Sequence, residues 1–378
     1  MITALLHVPV GFGVSAAFET AAVPFARWIG AAWACVLTLL FWYRVDLVAN
    51  DRPISSARRV FELGYFVAWC AALGTLPLFL ATVIGAAIVY TIGAIAGVTV
   101  QVPWGLLAFG CYALATLLAS YGVLYRARRP RVAMLTVPIE GLSPEFDGYT
   151  LVQLSDLHIG AFTSAGLVAR WVQKVEATRP NLVVYTGDYV TSGVAHHARI
   201  AEVMGQMKGA DGSIAVLGNH DYFGEGEPLV TMLRDRGVTV LRNARTTITR
   251  GNASIEIAGV DDTWTRHADV EKTMRDFDGK TPLIVLAHDP SLFPDFARHG
   301  AALVLSGHTH WGQVGVPFLS KRINAATKVF RFSAGVYREN KSMLYVSAGL
   351  GTTGPPVRFG SAPEITVIKL RRSTAWLK

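Results

Sequence analysis

Residues 302–313 read "ALVLSGHTHWGQ", an apolar run followed by a glycine and then His308 and His310 with one residue between them. In an extended segment, side chains two apart share a face, so the two imidazoles could converge on one object. A solvated turn carries such a pair equally well, and only partners elsewhere can decide. Four other apolar runs end in the same way. "YTLVQLS" (149–155) leads into Asp156 and His158, and "NLVVYTG" (181–187) into Asp188. "SIAVLG" (213–218) leads into Asn219, His220 and Asp221, and "TPLIVLAH" (281–288) ends on His288. Imidazole and carboxylate donors without a thiolate suit Mn²⁺, Fe or Zn²⁺. Two aspartates, an asparagine and four histidines exceed the needs of one tetrahedral ion and suit two ions sharing a carboxylate. Such pairs of ions lower the pKa of a bound water and clamp a phosphoryl group for in-line attack.

The elements that position these residues are short and buried. In open α/β sheets, ligands bind beyond the carboxyl ends of the strands, where this polar set falls. Residues 165–179 carry Leu167, Trp171, Val172 and Val175 on one helical face. "TTITR" (246–250), "ASIEIAGV" (253–260) and "EITVIKL" (364–370) come with tighter turns and predict antiparallel pairing. "MLYVSAG" (343–349) is a further apolar run. The pattern predicts a layered α/β domain with buried sheets. Glycine before Asp188, Asn219 and His308 lets the backbone turn sharply toward a ligand. Outside this set, His7, His196, His197, His267 and His299 read as surface or structural residues. Asn181, Asp261 and Asp262 read as turn or cap residues.

The first third of the chain is different. The protein is 51% hydrophobic, and residues 63–125 contain no Asp, Glu, Lys, Arg or His. A span needs about 20 apolar residues, so this stretch accommodates two comfortably and three if tightly packed. Residues 28–43 form another, bracketed by Arg27 and Arg44. Residues 1–25, interrupted by His7, Pro9, Glu19 and Pro24, are a fourth span or an interfacial or re-entrant piece. No positive residue precedes that run, which argues against a cleavable signal peptide. Cys35, Cys70 and Cys111 lie in the apolar segments and read as small buried hydrophobes. Much of the net charge of +8 flanks the spans, as Arg52, Arg58 and Arg59 on one side and Arg126, Arg128, Arg129 and Arg131 on the other. That placement fits the positive-inside rule and anionic lipid, and predicts no nucleic-acid partner. With both clusters cytoplasmic, two crossings separate them, "VTVQVP" (98–103) forms the outer turn, and Gly74 and Pro77 kink or break the first crossing. Without ionisable groups in residues 63–125, the bundle reads as an anchor rather than a transporter.

The five polar motifs match, in order, those of the calcineurin-like metallophosphoesterases, and the resemblance covers roughly residues 149–370. "HTHWGQ" and "VSAGLGTTGPPVRFGSAPEITVIKL" (346–370) are similar to membrane-associated members that include UDP-2,3-diacylglucosamine pyrophosphatases. The resemblance implies a four-layer α/β/β/α sandwich in which Asp156, His158 and His310 hold one metal, Asp188 bridges, and Asn219, His288 and His308 hold the other. It also implies that His220, oriented by Asp221, faces the substrate and protonates the leaving oxygen or stabilises the transition state. Trp311 departs from the subfamily's usual glycine, and its indole is expected to narrow the pocket or stack on a base or sugar.

The stretch 317–340 interleaves aromatics with Lys321, Arg322, Lys328, Arg331 and Arg338. It is either an ordinary surface segment or a basic-aromatic lip for lipid headgroups or a phosphate-bearing acyl substrate. Arg322 and Arg331 are its candidate substrate contacts.

The combined expectation is an integral membrane enzyme. Residues 1–129 form a transmembrane helical domain of three or four spans, and residues 130–378 form the metallophosphoesterase domain on the cytoplasmic face of a bacterial-type inner or plasma membrane. Two divalent ions, Mn²⁺ first among them, would support hydrolysis of a phosphodiester or pyrophosphate in a membrane lipid such as a UDP-diacylglucosamine-type molecule. The alternatives are a soluble nucleotide or sugar phosphate as substrate, and a membrane transporter or sensor whose esterase-like domain only binds ligand.

Overall fold

The computed structural model describes residues 2–49, 55–160, 162–223 and 226–373. They divide into two compact units, Met1–Tyr125 and Arg126–Lys378.

The first unit is helical, with α1 (Ile2–Thr20), α2 (Ala26–Ala49), α3 (Ser56–Ile95) and α4 (Trp104–Ser120). Among the described residues, three helical stretches are long and apolar enough to cross a membrane: Ala26–Val45, Ser56–Ile95 and Trp104–Arg128. Small residues bring helices close. A Cβ on Gly30 would lie 2.1 Å from the Gly11 carbonyl oxygen, so α1 and α2 meet backbone to backbone. α3 continues through Gly74 and Pro77 rather than breaking there, because a proline removes one ladder hydrogen bond while the apolar residues around it keep theirs. Residues 98–103 form the irregular connection between α3 and α4. Glu62 is buried, and its carboxylate accepts from Arg44 at 2.9 Å and Arg58 at 3.2 Å. Arg52 lies outside the described residues.

The second unit contains two six-stranded sheets among its described residues. One has the order β1 (Arg131–Glu140), β12 (Glu364–Ser373), β2 (Thr150–Leu154), β3 (Leu182–Thr186), β4 (Ser213–Val216), β5 (Val238–Val240). The other has the order β10 (Gly335–Glu339), β11 (Ser342–Val346), β9 (Leu303–Ser306), β8 (Leu283–Leu286), β7 (Ala253–Gly259), β6 (Ala244–Arg250). β2, β3, β4 and β5 run parallel, as do β7, β8, β9 and β11, while β6 joins β7 antiparallel. β12 is antiparallel to β2 and parallel to β1.

Alternation along the strands builds the layers. Leu151, Val184, Ile214, Ile257, Ile284 and Leu305 fill a core shared by both sheets. Their neighbours Val152, Tyr185 and Ala215 face α5 (Ala165–Thr178), α6 (His197–Gln206) and α7 (Gly226–Asp235). Val285, Val304 and Leu344 face α8 (Val270–Met274) and α9 (Phe293–Arg298). The result is the four-layer α/β/β/α sandwich. Each fully buried aliphatic side chain contributes about 1.5–3 kcal/mol, so the shared core, more than any single ladder, holds the sheets face to face. α5 starts where the Ser164 hydroxyl caps the Leu167 N–H at 3.2 Å and stops at Arg179, in a left-handed conformation before Pro180.

β1 was not expected from the sequence. Pro138 interrupts its pattern, and a strand tolerates proline when it lies at a sheet edge, which is where β1 sits. Its Arg131 reaches the buried Glu364 carboxylate at 2.6 Å.

Candidate metal centre

The five polar motifs occupy the turns that follow β2, β3, β4, β8 and β9. The two sheets touch at these ends. Gln153 Nε2 donates to the Ser306 carbonyl at 2.9 Å, and the His288 ring bonds the Thr186 carbonyl at 2.7 Å through Nδ1. The turns are tight enough to need unusual backbone. Asp156, His158, Asp188, His308 and His310 all have φ between +41° and +69°, a region costly for residues with a Cβ and concentrated at functional sites. Gly307 allows the closest approach, since a Cβ there would lie 2.3 Å from Asp156 Oδ2.

This geometry corrects the extended-segment reading of His308 and His310. Both sit past the end of β9 in left-handed backbone, so spacing by two does not give them a common target. They join different clusters. Asp156, His158, Asp188 and His310 form one set of possible ligands, and Asp188, His288 and His308 form the other, with donor atoms within 4.8 Å of one another in each. Asp188 belongs to both. Its Oδ1 accepts the His220 N–H at 2.9 Å, while Oδ2 lies 3.6 Å from His158 Nε2 and 3.3 Å from His288 Nε2.

Second partners aim the rings. His158 Nδ1 bonds the Val190 carbonyl at 3.1 Å, leaving Nε2 to face His310 Nε2 at 3.1 Å. His310 Nε2 also lies 3.4 Å from Asp156 Oδ1. His308 Nδ1 is 3.1 Å from His288 Nε2. Burial keeps His158 and His308 neutral, each lowered to about 4, and takes His310 well below its usual value. Their lone pairs are therefore available at neutral pH. Burial opposes the charge on His288 too, but Asp188 overrides it and pushes the ring up to about 10. A cation entering this cluster would take the place of that proton.

The donors fit divalent ions. Asn219 Oδ1 and His308 Nε2 are buried without a hydrogen-bond partner among the described residues, and an orphaned buried acceptor is costly unless something else satisfies it. Asn219 follows β4, and the His220 N–H beside it already holds Asp188.

Two expectations for side-chain roles are corrected. Asp221 does not orient the His220 ring. Its carboxylate accepts backbone N–H groups of Gly218 and Asp188 at 2.9 Å each, Tyr189 at 2.8 Å and Val190 at 3.3 Å, tying the turn after β4 to the turn after β3. Consecutive residues of the short helix Asn219–Tyr222 project in different directions, and His220 Nδ1 instead bonds the Thr191 carbonyl at 2.8 Å. That bond engages Nδ1 and leaves Nε2 as the ring's other nitrogen. Trp311 is turned into the protein rather than toward an open pocket. It is 2% exposed, its Nε1 donates to the Val346 carbonyl at 2.8 Å, and it packs on Ala334 and Ala348. Arg131 and Lys321 lie over its ring at 5.2 and 5.6 Å. Arg322 and Arg331 are both exposed, and Arg331 lies over the Phe332 ring at 4.9 Å.

Sequence reasoning missed two groups. Arg358 is wholly buried and wraps the first cluster, donating to the carbonyls of His310 at 3.0 Å and Gly351 at 2.6 Å. Its place in "GPPVRFG" gave no local signal. Beside the clusters, Trp264 lies 5.3 Å from the His308 ring and Phe223 4.7 Å from His220, joined by Phe330, which belongs to the expected basic-aromatic stretch, at 5.2 Å from His308. Trp264 is 61% exposed and Phe223 49%.

Five of the remaining residues singled out have structural partners. His267 stacks on Tyr222 at 4.4 Å, and His299 lies 3.9 Å from Glu271. Asn181 Oδ1 accepts the Thr150 N–H at 2.8 Å. Asp261 accepts from Tyr222 and Arg242, and Asp262 from the Thr265 N–H and hydroxyl.

Comparison with known proteins agrees with this geometry. The family described as "Calcineurin-like phosphoesterase" matches residues 149–312. The zebrafish "Transmembrane protein with metallophosphoesterase domain" is 34% identical over 275 residues, 69% of this chain and 62% of that protein. Its cattle counterpart is 31% identical over 276 residues, 68% of this chain and 61% of that protein. The chain thus spans less than two thirds of those two relatives. The Bacillus subtilis metallophosphoesterase YkuE is 32% identical over 272 residues, 70% of this chain and 94% of that protein. With three helices able to cross a membrane and relatives named as transmembrane proteins, the chain is that of a membrane protein. Its second unit brings together two groups of residues able to hold metal ions within the matched range, and the chain belongs to the calcineurin-like metallophosphoesterases.

Proposed function

We propose that this metal-dependent phosphoesterase hydrolyses a phosphodiester or pyrophosphate bond in a membrane-derived lipid, of which a UDP-diacylglucosamine-type molecule is one example. Two divalent ions, Mn²⁺ for preference, would be held by Asp156, His158 and His310 on one side and Asn219, His288 and His308 on the other, with Asp188 between. When bound they supply charge for the phosphoryl group and activate the attacking water. His220, whose Nδ1 is engaged by the Thr191 carbonyl, is the group that would donate a proton, through Nε2, to the leaving oxygen.

The observation that carries the lipid reading is the set of aromatic rings against the site's histidines. Exposed aromatics normally cost solubility, yet Trp264 and Phe223 stand exposed against two histidines of the site, with Phe330 beside them. A phosphate approaching the ions would carry its substituent past these rings, and an apolar substituent would be held there. The same rings favour a second reading, a nucleotide whose base stacks on Trp264.

One assay separates them. Phosphodiesters sharing a p-nitrophenyl leaving group, with methyl, octyl or nucleoside as the other ester, are hydrolysed by the full chain in detergent. Chelation should abolish turnover, and added Mn²⁺ should restore it. The lipid reading expects kcat/KM for octyl to exceed that for methyl by about tenfold, the worth of one well-placed aromatic contact, and the ratio to shrink in Trp264→Ala. A preference for nucleoside over octyl would favour the nucleotide. Turnover that survives exhaustive chelation would end the metal mechanism.

A further inference from the structure

The chain just after the metal motifs forms a loop that supplies none of the proposed metal ligands. Between Gly315 and Asn324 it doubles back on itself. The Val316 N–H donates to the Ile323 carbonyl at 2.9 Å, and Gly315 and Asn324 bridge the base. Asn324 locks it there, with Oδ1 accepting from Ala326 and Thr327 at 2.8 and 3.1 Å and Nδ2 donating to the Ser320 carbonyl at 2.7 Å. A loop so tied holds its tip in a defined place.

That tip is apolar. Phe318 is fully exposed and sits in left-handed backbone at φ +67°, strain that a phenylalanine endures only where surrounding bonds enforce it. Leu319 and Ile323 in the same loop are exposed too, as is Val329 just beyond its base, at 72%. Several large apolar side chains exposed on one short tied loop mark an interaction site rather than ordinary surface.

The charges beside the patch choose the partner. Lys321, Arg322, Lys328 and Arg331 are all exposed, and residues 296–338 contain no Asp or Glu. A second copy of the loop would be repelled by the same cations. A bilayer interface with anionic lipid offers acyl chains for the tip and phosphates for the cations in one place.

We infer that the loop Gly315–Arg331 is a membrane-docking element whose tip, centred on Phe318, enters the headgroup–acyl boundary of an anionic bilayer. This goes beyond the proposed substrate, since a loop can rest in lipid whatever the enzyme hydrolyses.

The test uses the full chain in nanodiscs of phosphatidylglycerol and phosphatidylcholine. In a background carrying Cys35→Ser, Cys70→Ser and Cys111→Ser, an environment-sensitive fluorophore is attached at Phe318→Cys or, as a control, at the exposed Lys280→Cys. The label at 318 should be blue-shifted and quenched by nitroxide-bearing lipids about threefold or more beyond the label at 280, as expected for an interfacial anchor. Quenching should weaken when phosphatidylglycerol is left out. Water-like emission at 318 without lipid quenching would overturn the inference. So would a blue shift that grows with protein concentration but ignores the nitroxide, since another protein would then cover the loop. The readout needs no turnover, so its failure and that of the lipid-substrate reading are told apart.

Discussion

Asp188 carries more of the site than any other side chain. One oxygen fixes the turn after β4 through the His220 N–H, and the other faces His158 and His288 from the two clusters. Burial alone would raise its pKa, but His288 and His158 hold the carboxylate well below the usual range, so it stays charged where two cations would need it. Asp188→Ala should therefore empty both clusters, measured as metal per chain by mass spectrometry. His220→Ala should keep its metal and lose kcat by about 10²–10⁴, the usual worth of a placed acid. Equal metal loss in the two variants would make His220 a ligand and strip it of the proton-donating role.

At the scale of elements, the strand ends are held together mainly by one buried carboxylate. Asp221 collects backbone N–H groups from residues 188–190 and from Gly218, so β3 and β4 present Asp188 and Asn219 in fixed relation. Asp221→Asn keeps the shape but turns part of the acceptor into a donor facing N–H groups. Leaving buried donors unpaired costs about 1–3 kcal/mol each, and a Tm drop with reduced metal retention should follow. The pH dependence of whatever activity remains should keep its shape, because the His220 ring is oriented by the Thr191 carbonyl. A changed pH profile with unchanged Tm would instead return Asp221 to the acid.

For the whole molecule, the membrane and catalytic units are joined at a basic stretch, Arg126, Arg128, Arg129 and Arg131. Cations beside a span are retained on the cytoplasmic side, and the described Arg58 and Arg59 stand at the start of α3. We therefore propose that the catalytic unit and the Arg58–Arg59 end of α3 lie on the cytoplasmic side, with α3 and α4 crossing between. A reporter fused after Lys378 should be active only as a cytoplasmic fusion. Activity restricted to the exported compartment would reverse the topology and leave the chemistry untouched.

The sequence by itself determined the donors and the spans. Each ligand sits within a few residues of an apolar strand end, and each span is a contiguous apolar run, so both are local patterns that need no knowledge of what lies opposite. The tertiary structure decided everything that depends on residues distant in sequence meeting. His308 and His310 look like one pair locally, yet left-handed turns send them to partners at positions 288 and 156–158. Trp311 reads as a pocket wall until Val346, Ala334 and Ala348 close over it. Arg358 and Trp264 sit in unremarkable loops and gain meaning only because the ends of two separate sheets converge where they lie. Strand periodicity reports which face is buried, but not which turn will stand across from it once two sheets pack face to face.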